Sequence, residues 1–200
     1  MRQIAAQYRR RADAFERTII EVDDAQWGNP SPCGRWDARG IVMHVVHMHE
    51  HMIHSTWAEP QRVAQPGDDP LMSFQSVRAE VEEFLNDEEF ATATLVTPTR
   101  LLTVEDHISE VVSDDLPIHT WDLARAAGLD CQLDAADVQW LWTVVNAIPP
   151  SVMEMYRTPG AFGKGIEVYG PEVPVPSEAP LQDRLLGFIG RDPHWVPPRY

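Results

Sequence analysis

Apolar residues recur every three to four positions along much of this chain, and polar residues fill the positions between them. From Gln3 to Val22, Ile4, Tyr8, Ala12, Phe15, Ile19 and Val22 share one side and arginines take the other, which predicts an amphipathic first helix. Asn29-Pro-Ser-Pro-Cys-Gly34 cannot continue it and reads as a loop, after which Asp37 can cap a second helix running to about Trp57. Pro60 to Pro70 is a polar, proline-bearing linker. Helical spacing resumes from Leu71 to about Phe84, in a shorter third helix. Phe90 to Thr103, rich in Thr, Val and Leu around Pro98, suggests an irregular connection with a short hairpin.

Thr103 with Asp106 has the form of a capping box and opens the next helix, which Gly128 closes. Asp134 then caps a helix carrying Val138, Leu141, Trp142, Val145 and Ile148, ended by Pro149-Pro150. Ten of the seventeen prolines fall in the last 52 residues, so this part is expected to be mostly extended, with a short helix near Leu181 to Ile189. The pattern predicts an all-α helical bundle in a single domain, 1–200, with residues 1–150 as the bundle core and a proline-rich C-terminal arm, 151–200, packing on it.

Within the fourth long helix, Ile108, Val112, Leu116, Leu123 and Ala126 form the stripe expected to be buried, and Asp115 and His119 lie among them. Four residues apart, the carboxylate and the imidazole sit about 40° from each other on the wheel with about 6 Å of rise between them, so one divalent ion can touch both. Burying a carboxylate without a partner costs several kcal/mol. Either a metal or an ion pair, with His119 or with an arginine from a neighbouring helix, can compensate it. Pro117 removes an N–H inside this turn, so the helix kinks there or a second one begins with Asp115 near its cap.

The second helix holds five of the eight histidines within eleven residues, His44 to His54. His44, His47, His51 and His54 fall inside about 80°, while His49 is expected to point toward solvent. His44 lies closest to the apolar border of Ile41, Val45, Met48 and Met52 and is the best candidate to look inward. His51 is two turns away, too far to share an ion with His44, whereas His47 is near enough. The other histidines read equally as a solvated face.

Composition narrows the function classes. A net charge of −15 and a pI of about 4.8 disfavour nucleic acid and anionic membrane surfaces as partners. No apolar run approaches the ~20 residues that span a bilayer, and the first ten residues lack a signal-peptide core. The expected location is the cytoplasm, with Cys33 and Cys131 as reduced thiols.

Pro32-Cys33 followed by Trp36-Asp-Ala-Arg-Gly-Ile-Val-Met-His44 resembles the opening of the second helix in DinB-like proteins related to mycothiol-dependent maleylpyruvate isomerase. Asp115-Leu-Pro-Ile-His119-Thr-Trp-Asp-Leu-Ala-Arg-Ala is similar to that group's second signature, and Leu181-Gln-Asp-Arg-Leu-Leu-Gly-Phe-Ile-Gly-Arg-Asp-Pro resembles the closing segment of one uncharacterised branch. The resemblance implies a DinB-like four-helix bundle with a divalent metal, often zinc with nickel or another ion as an option, held by His44, Asp115 and His119. The isomerase has Glu where this chain has Asp115, and it carries its own C-terminal domain, so maleylpyruvate is not implied as the substrate.

An open metal position suits two kinds of protein. One is an enzyme using a mycothiol-type thiol in transfer to, or isomerisation of, a small electrophile. The other is a non-catalytic metal- or small-ligand-binding stress or detoxification protein. Asp122 can orient His119 or pair with Arg125; Cys33, Trp36 and Trp121 can border the pocket or simply pack. A monomer and a homodimer are both compatible with the sequence.

Overall fold

The computed structural model describes residues 2–56, 58–97, 100–161 and 168–198. Trp57, the expected end of the second helix, and Pro98, in the expected hairpin, lie outside them. The described residues divide into two compact units, one running to Cys131 and including Pro197 and Pro198, the other Gln132–Val196. The helix read around 134–148 as part of the bundle core therefore groups with the C-terminal segment.

The first unit is an all-α bundle built from α1 (Gln3–Glu21), α2 (Ala38–Ser55), α3 (Pro70–Asn86) and α6 (Leu116–Ala126). Each of α1 and α2 packs against both α3 and α6, so the four run around one core. The expected stripes are the buried ones: Tyr8, Ala12, Phe15 and Ile19 of α1 are at most 2% exposed, and the Phe15 ring meets Phe74 of α3 edge-on at 4.9 Å. Arg11, on the same face of α1, is also buried.

Helix ends follow local chemistry. Asp37 accepts from the Gly40 N–H, Asp69 from Met72, and Thr103 with Asp106 closes a reciprocal capping box. α3 is slightly longer than its hydrophobic spacing suggested: Asp69 caps it and Pro70 starts it one residue earlier, and it runs on to Asn86. After the short α4 (Glu88–Ala91), β1 (Thr94–Val96) and β2 (Leu101–Thr103) pair antiparallel with Leu95 opposite Leu102. Gly128, at φ +69°, takes the left-handed turn after α6.

The predicted single helix from Thr103 to Gly128 is interrupted earlier than Pro117. It runs as α5 (Val104–Ile108), a π-helical turn over Ser109–Ser113, and α6. Pro117 sits in the first turn of α6, where its missing N–H has no intrahelical acceptor to lose, and Asp115 is the residue before that helix.

In the second unit, α7 (Ala135–Ala147) begins at Asp134, whose carboxylate accepts from Ala136 and Asp137. Pro149-Pro150 ends it as expected, but the chain then turns helical again in α8 (Pro150–Arg157), because proline at a first helical position is preorganised for the helix. α9 (Leu181–Phe188) matches the short helix expected near the end. Gly190, at φ +86°, lies against the Gly170 backbone, where an added Cβ would stand 2.5 Å from Gly170 Cα. No helix among the described residues is long and apolar enough to cross a membrane.

Candidate metal centre

α2 and α6 bring His44, Asp115 and His119 together. One ligand atom from each lies within 4.8 Å of the others, the one such cluster of three among the described residues. His119 Nε2 stands 3.2 Å from Asp115 Oδ2, and His44 Nε2 3.8 Å from the same oxygen. The 3.2 Å contact follows from the four-residue spacing. The approach of His44 comes from the packing of α2 on α6. Arg11 of α1 pairs with Asp114 at 2.6 Å, and the basic groups that face the Asp115 carboxylate are the imidazoles of His119 and His44.

Behind the cluster, His119 Nδ1 lies 3.1 Å from Asp122 Oδ2, and both side chains are almost completely buried. A carboxylate only accepts, so Nδ1 carries the proton and Nε2 faces Asp115 and His44. This is the contact that the orienting role weighed for Asp122 requires. Exposure rises across the site, from 4% for the His119 side chain to 23% for His44 and 32% for Asp115, so the cluster opens on the Asp115 side.

Trp36 forms one wall. Its ring stacks on His44 with centroids 4.1 Å apart and meets His119 edge-on at 5.9 Å. The Arg35 guanidinium lies over the Trp36 ring, 4.7 Å from its centroid. Gly40 makes this placement possible, since a Cβ there would meet Trp36 Cβ at 3.0 Å, tighter than side chains normally allow. Trp121 is buried, and among the described residues no ring contact ties it to the site. Cys33 and Cys131 are not in a disulfide; the Cys33 carbonyl accepts from the Trp36 N–H and shapes the loop that delivers Trp36.

The loop is tied to α6 as well. Gln26 Nε2 and Asn29 Nδ2 donate to the carbonyls of Ala127 and Ala126, satisfying acceptors that the end of α6 leaves open. Trp36 on the loop and His119 on α6 are therefore held in one frame. Gln26, Asn29 and Gly40 were not singled out by sequence reasoning; a glycine four residues after a tryptophan in a helix's first turn is the one local signal that could have found the last.

The site is electrostatically coupled. Burial pushes the Asp115 carboxyl upward, but the imidazoles of His119 and His44 outweigh it and hold the group well below the ordinary carboxylate range. Burial likewise opposes a charged His119, yet Asp115 and Asp122 together raise it to about 9. His44 moves the other way: burial lowers it more than Asp115 restores. One anionic oxygen donor and one imidazole that favours its neutral form thus coexist with the His119 imidazole, which Asp115 at Nε2 and Asp122 at Nδ1 bias toward its charged form.

The donor set suits a divalent cation. Metal–ligand bonds near 2.1 Å set tetrahedral ligands about 3.4 Å apart, and the observed 3.2 and 3.8 Å separations bracket that value. A buried carboxylate on the far nitrogen of a ligating histidine is the usual support of such sites.

The chain matches the model of the mycothiol maleylpyruvate isomerase N-terminal domain over residues 8–157. It belongs to that family. Two uncharacterised proteins of Mycobacterium tuberculosis, from different strains, are each 28% identical over 185 residues, covering 92% of this chain and 95% of their own. No solved structure matches it at a significant level. The family match takes in α2, α6 and all three clustered residues.

The remaining histidines separate. His47 is exposed and its Nδ1–H meets Glu50 at 2.9 Å, so it does not join His44. His51 and His54 are exposed. His49, expected on the solvent side, is 1% exposed: Nδ1–H donates to the Val45 carbonyl at 2.8 Å and Nε2 accepts from the Tyr8 hydroxyl at 3.1 Å. The expected orientation is corrected because the buried stripe of α2 centres on Val42, Val45, Val46 and Ile53, and position 49 falls one turn from Val45 on it.

Proposed function

We propose that His44, Asp115 and His119 hold a divalent cation, zinc first with nickel as its rival. We further propose that the site works on a low-molecular-weight thiol of the mycothiol type, in thiol transfer to, or isomerisation of, a small electrophile. One observation supports the reading above others: three donors converge from two helices on one open point, with the Asp122 carboxylate fixed behind His119. A cation bound there supplies a Lewis-acid position at which a thiol or a water ionises near neutral pH.

The chain's own groups do the rest. Asp122 holds the proton of His119 on Nδ1 and keeps Nε2 directed into the site. Trp36 covers one face of His44 and excludes water from it. The exposed side of Asp115 and His44 leaves an approach for a small molecule. Asp115 is one methylene shorter than the isomerase's glutamate, which loosens that ligand or changes the preferred metal, and a C-terminal segment that resembles the uncharacterised branch argues for a substrate other than maleylpyruvate.

Protein purified without an affinity tag or chelator is expected to carry close to one equivalent of metal, lost in Asp115→Ala and His119→Ala. Less than about 0.2 equivalents, with no uptake on titration, would sink the site. Metal-loaded protein mixed with mycothiol and a panel of electrophiles then separates turnover from binding. Equal thiol consumption by wild type and Asp115→Ala refutes the transferase reading, equal conversion of the electrophile to its isomer with the thiol regenerated refutes the isomerase reading, and both results together leave the metal- or ligand-binding one.

A further inference from the structure

Asp115 owes its direction to a distortion in its helix. The Asp114 N–H bonds to the Ser109 carbonyl at 2.9 Å, five residues back, whereas the His119 N–H returns to the Asp115 carbonyl at 3.1 Å, four residues back. The wide turn thus accommodates one residue more than an α-helical turn would. Each extra residue rotates all that follows by about 100°. Without it, Asp115 and His119 would leave the face that meets α2.

Such turns are less favourable than regular helix and persist where something holds them. Here the holder comes from α1. Arg11, 1% exposed, donates from Nη1 to Ser113 Oγ at 3.0 Å and to Asp114 Oδ1 at 2.6 Å, and Ser113 is fully buried. A buried guanidinium has few alternative positions, since moving it would leave its charge uncompensated. With Asp114 pinned toward α1, the next side chain along the helix points away from α1 and reaches His44 on α2.

We propose that Arg11 is a positioning residue for the metal centre: by gripping Ser113 and Asp114 it holds the π-turn that aims Asp115 at His44. The proposal rests on the metal reading above. The grip also explains why an arginine occupies the apolar face of α1, among Tyr8, Ala12 and Phe15.

Cobalt(II) titration with visible absorption reports affinity and coordination geometry together, without turnover. Arg11→Met is expected to weaken cobalt binding about tenfold or more and to alter the ligand-field spectrum. Arg11→Lys, which keeps the charge but cannot span both partners, should recover part of each. Phe15→Leu, a core change on the same helix, serves as the stability control and should lower the melting temperature while leaving the cobalt spectrum and affinity intact. If wild type loads cobalt and Arg11→Met binds it with unchanged affinity and spectrum, the positioning role is refuted. If Phe15→Leu disturbs the spectrum as much as Arg11→Met, it is refuted too. If wild type takes up no cobalt and no zinc, the metal reading falls, and this inference with it.

Discussion

Acidification should destabilise the first unit through His49, and the effect can be isolated. Its Nδ1–H is committed to the Val45 carbonyl and its Nε2 accepts from Tyr8, whose own ionisation is suppressed by burial, so a second ring proton would displace that bond and leave a charge in the core. Burial accordingly lowers His49 from 6.5 to about 4. The unfolded chain binds the proton first, so stability is fully present above about pH 6.5, falls as the pH drops toward 4, and levels off below. At ~1.4 kcal/mol per pH unit across that window, the loss is about 3 kcal/mol. Urea unfolding of wild type and His49→Gln at a series of pH values, in chelator so that metal release does not contribute, measures it. The variant should be less stable at pH 7, and the gap should close by about 3 kcal/mol by pH 4. Parallel stability curves would show that His49 is not held neutral by its surroundings and would refute the reasoning.

Three further outcomes are expected. Asp122→Asn should weaken zinc binding about 10- to 100-fold in a competition titration with a chromophoric chelator, while Asp130→Asn, on an exposed carboxylate paired with Arg125, should not. Gly190→Ala combines a left-handed backbone with a Cβ pressed against Gly170, and should destabilise the 132–196 unit by at least about 2 kcal/mol, read as a lowered midpoint in thermal unfolding. Burial pushes the Cys131 thiol up to about 11 from 9.0, which lowers its thiolate fraction about a hundredfold at neutral pH while raising the thiolate's nucleophilicity, so its reaction with a disulfide reagent should run about tenfold slower or more than that of a thiol without the shift.

Much of the bundle was legible from local rules. The buried stripe of α1, the Asp37, Thr103–Asp106 and Asp134 caps and the left-handed Gly128 all depend on residues within a turn or two of one another. The Asp115–His119 contact belongs with them, because a four-residue spacing on a helix is itself a distance. His49 was misplaced because a histidine counts as polar on a wheel, although the stripe's phase ran through its position. Pro150 was read only as a helix breaker, when its fixed φ also suits a helix start.

What the sequence alone determines, then, is which residues share a helix face and where most helices begin and end, since backbone hydrogen bonding and side-chain period act over a few residues. It also places Asp122 one turn from His119. That His44 and not His47 completes the cluster, that Trp36 lies over it, and that Arg11 reaches Ser113 and Asp114 are decided by tertiary structure. Those contacts depend on how each helix is rotated and slid against its neighbours, and that phase is set by the packing of the whole core and by a π-turn whose extra residue no local pattern announced.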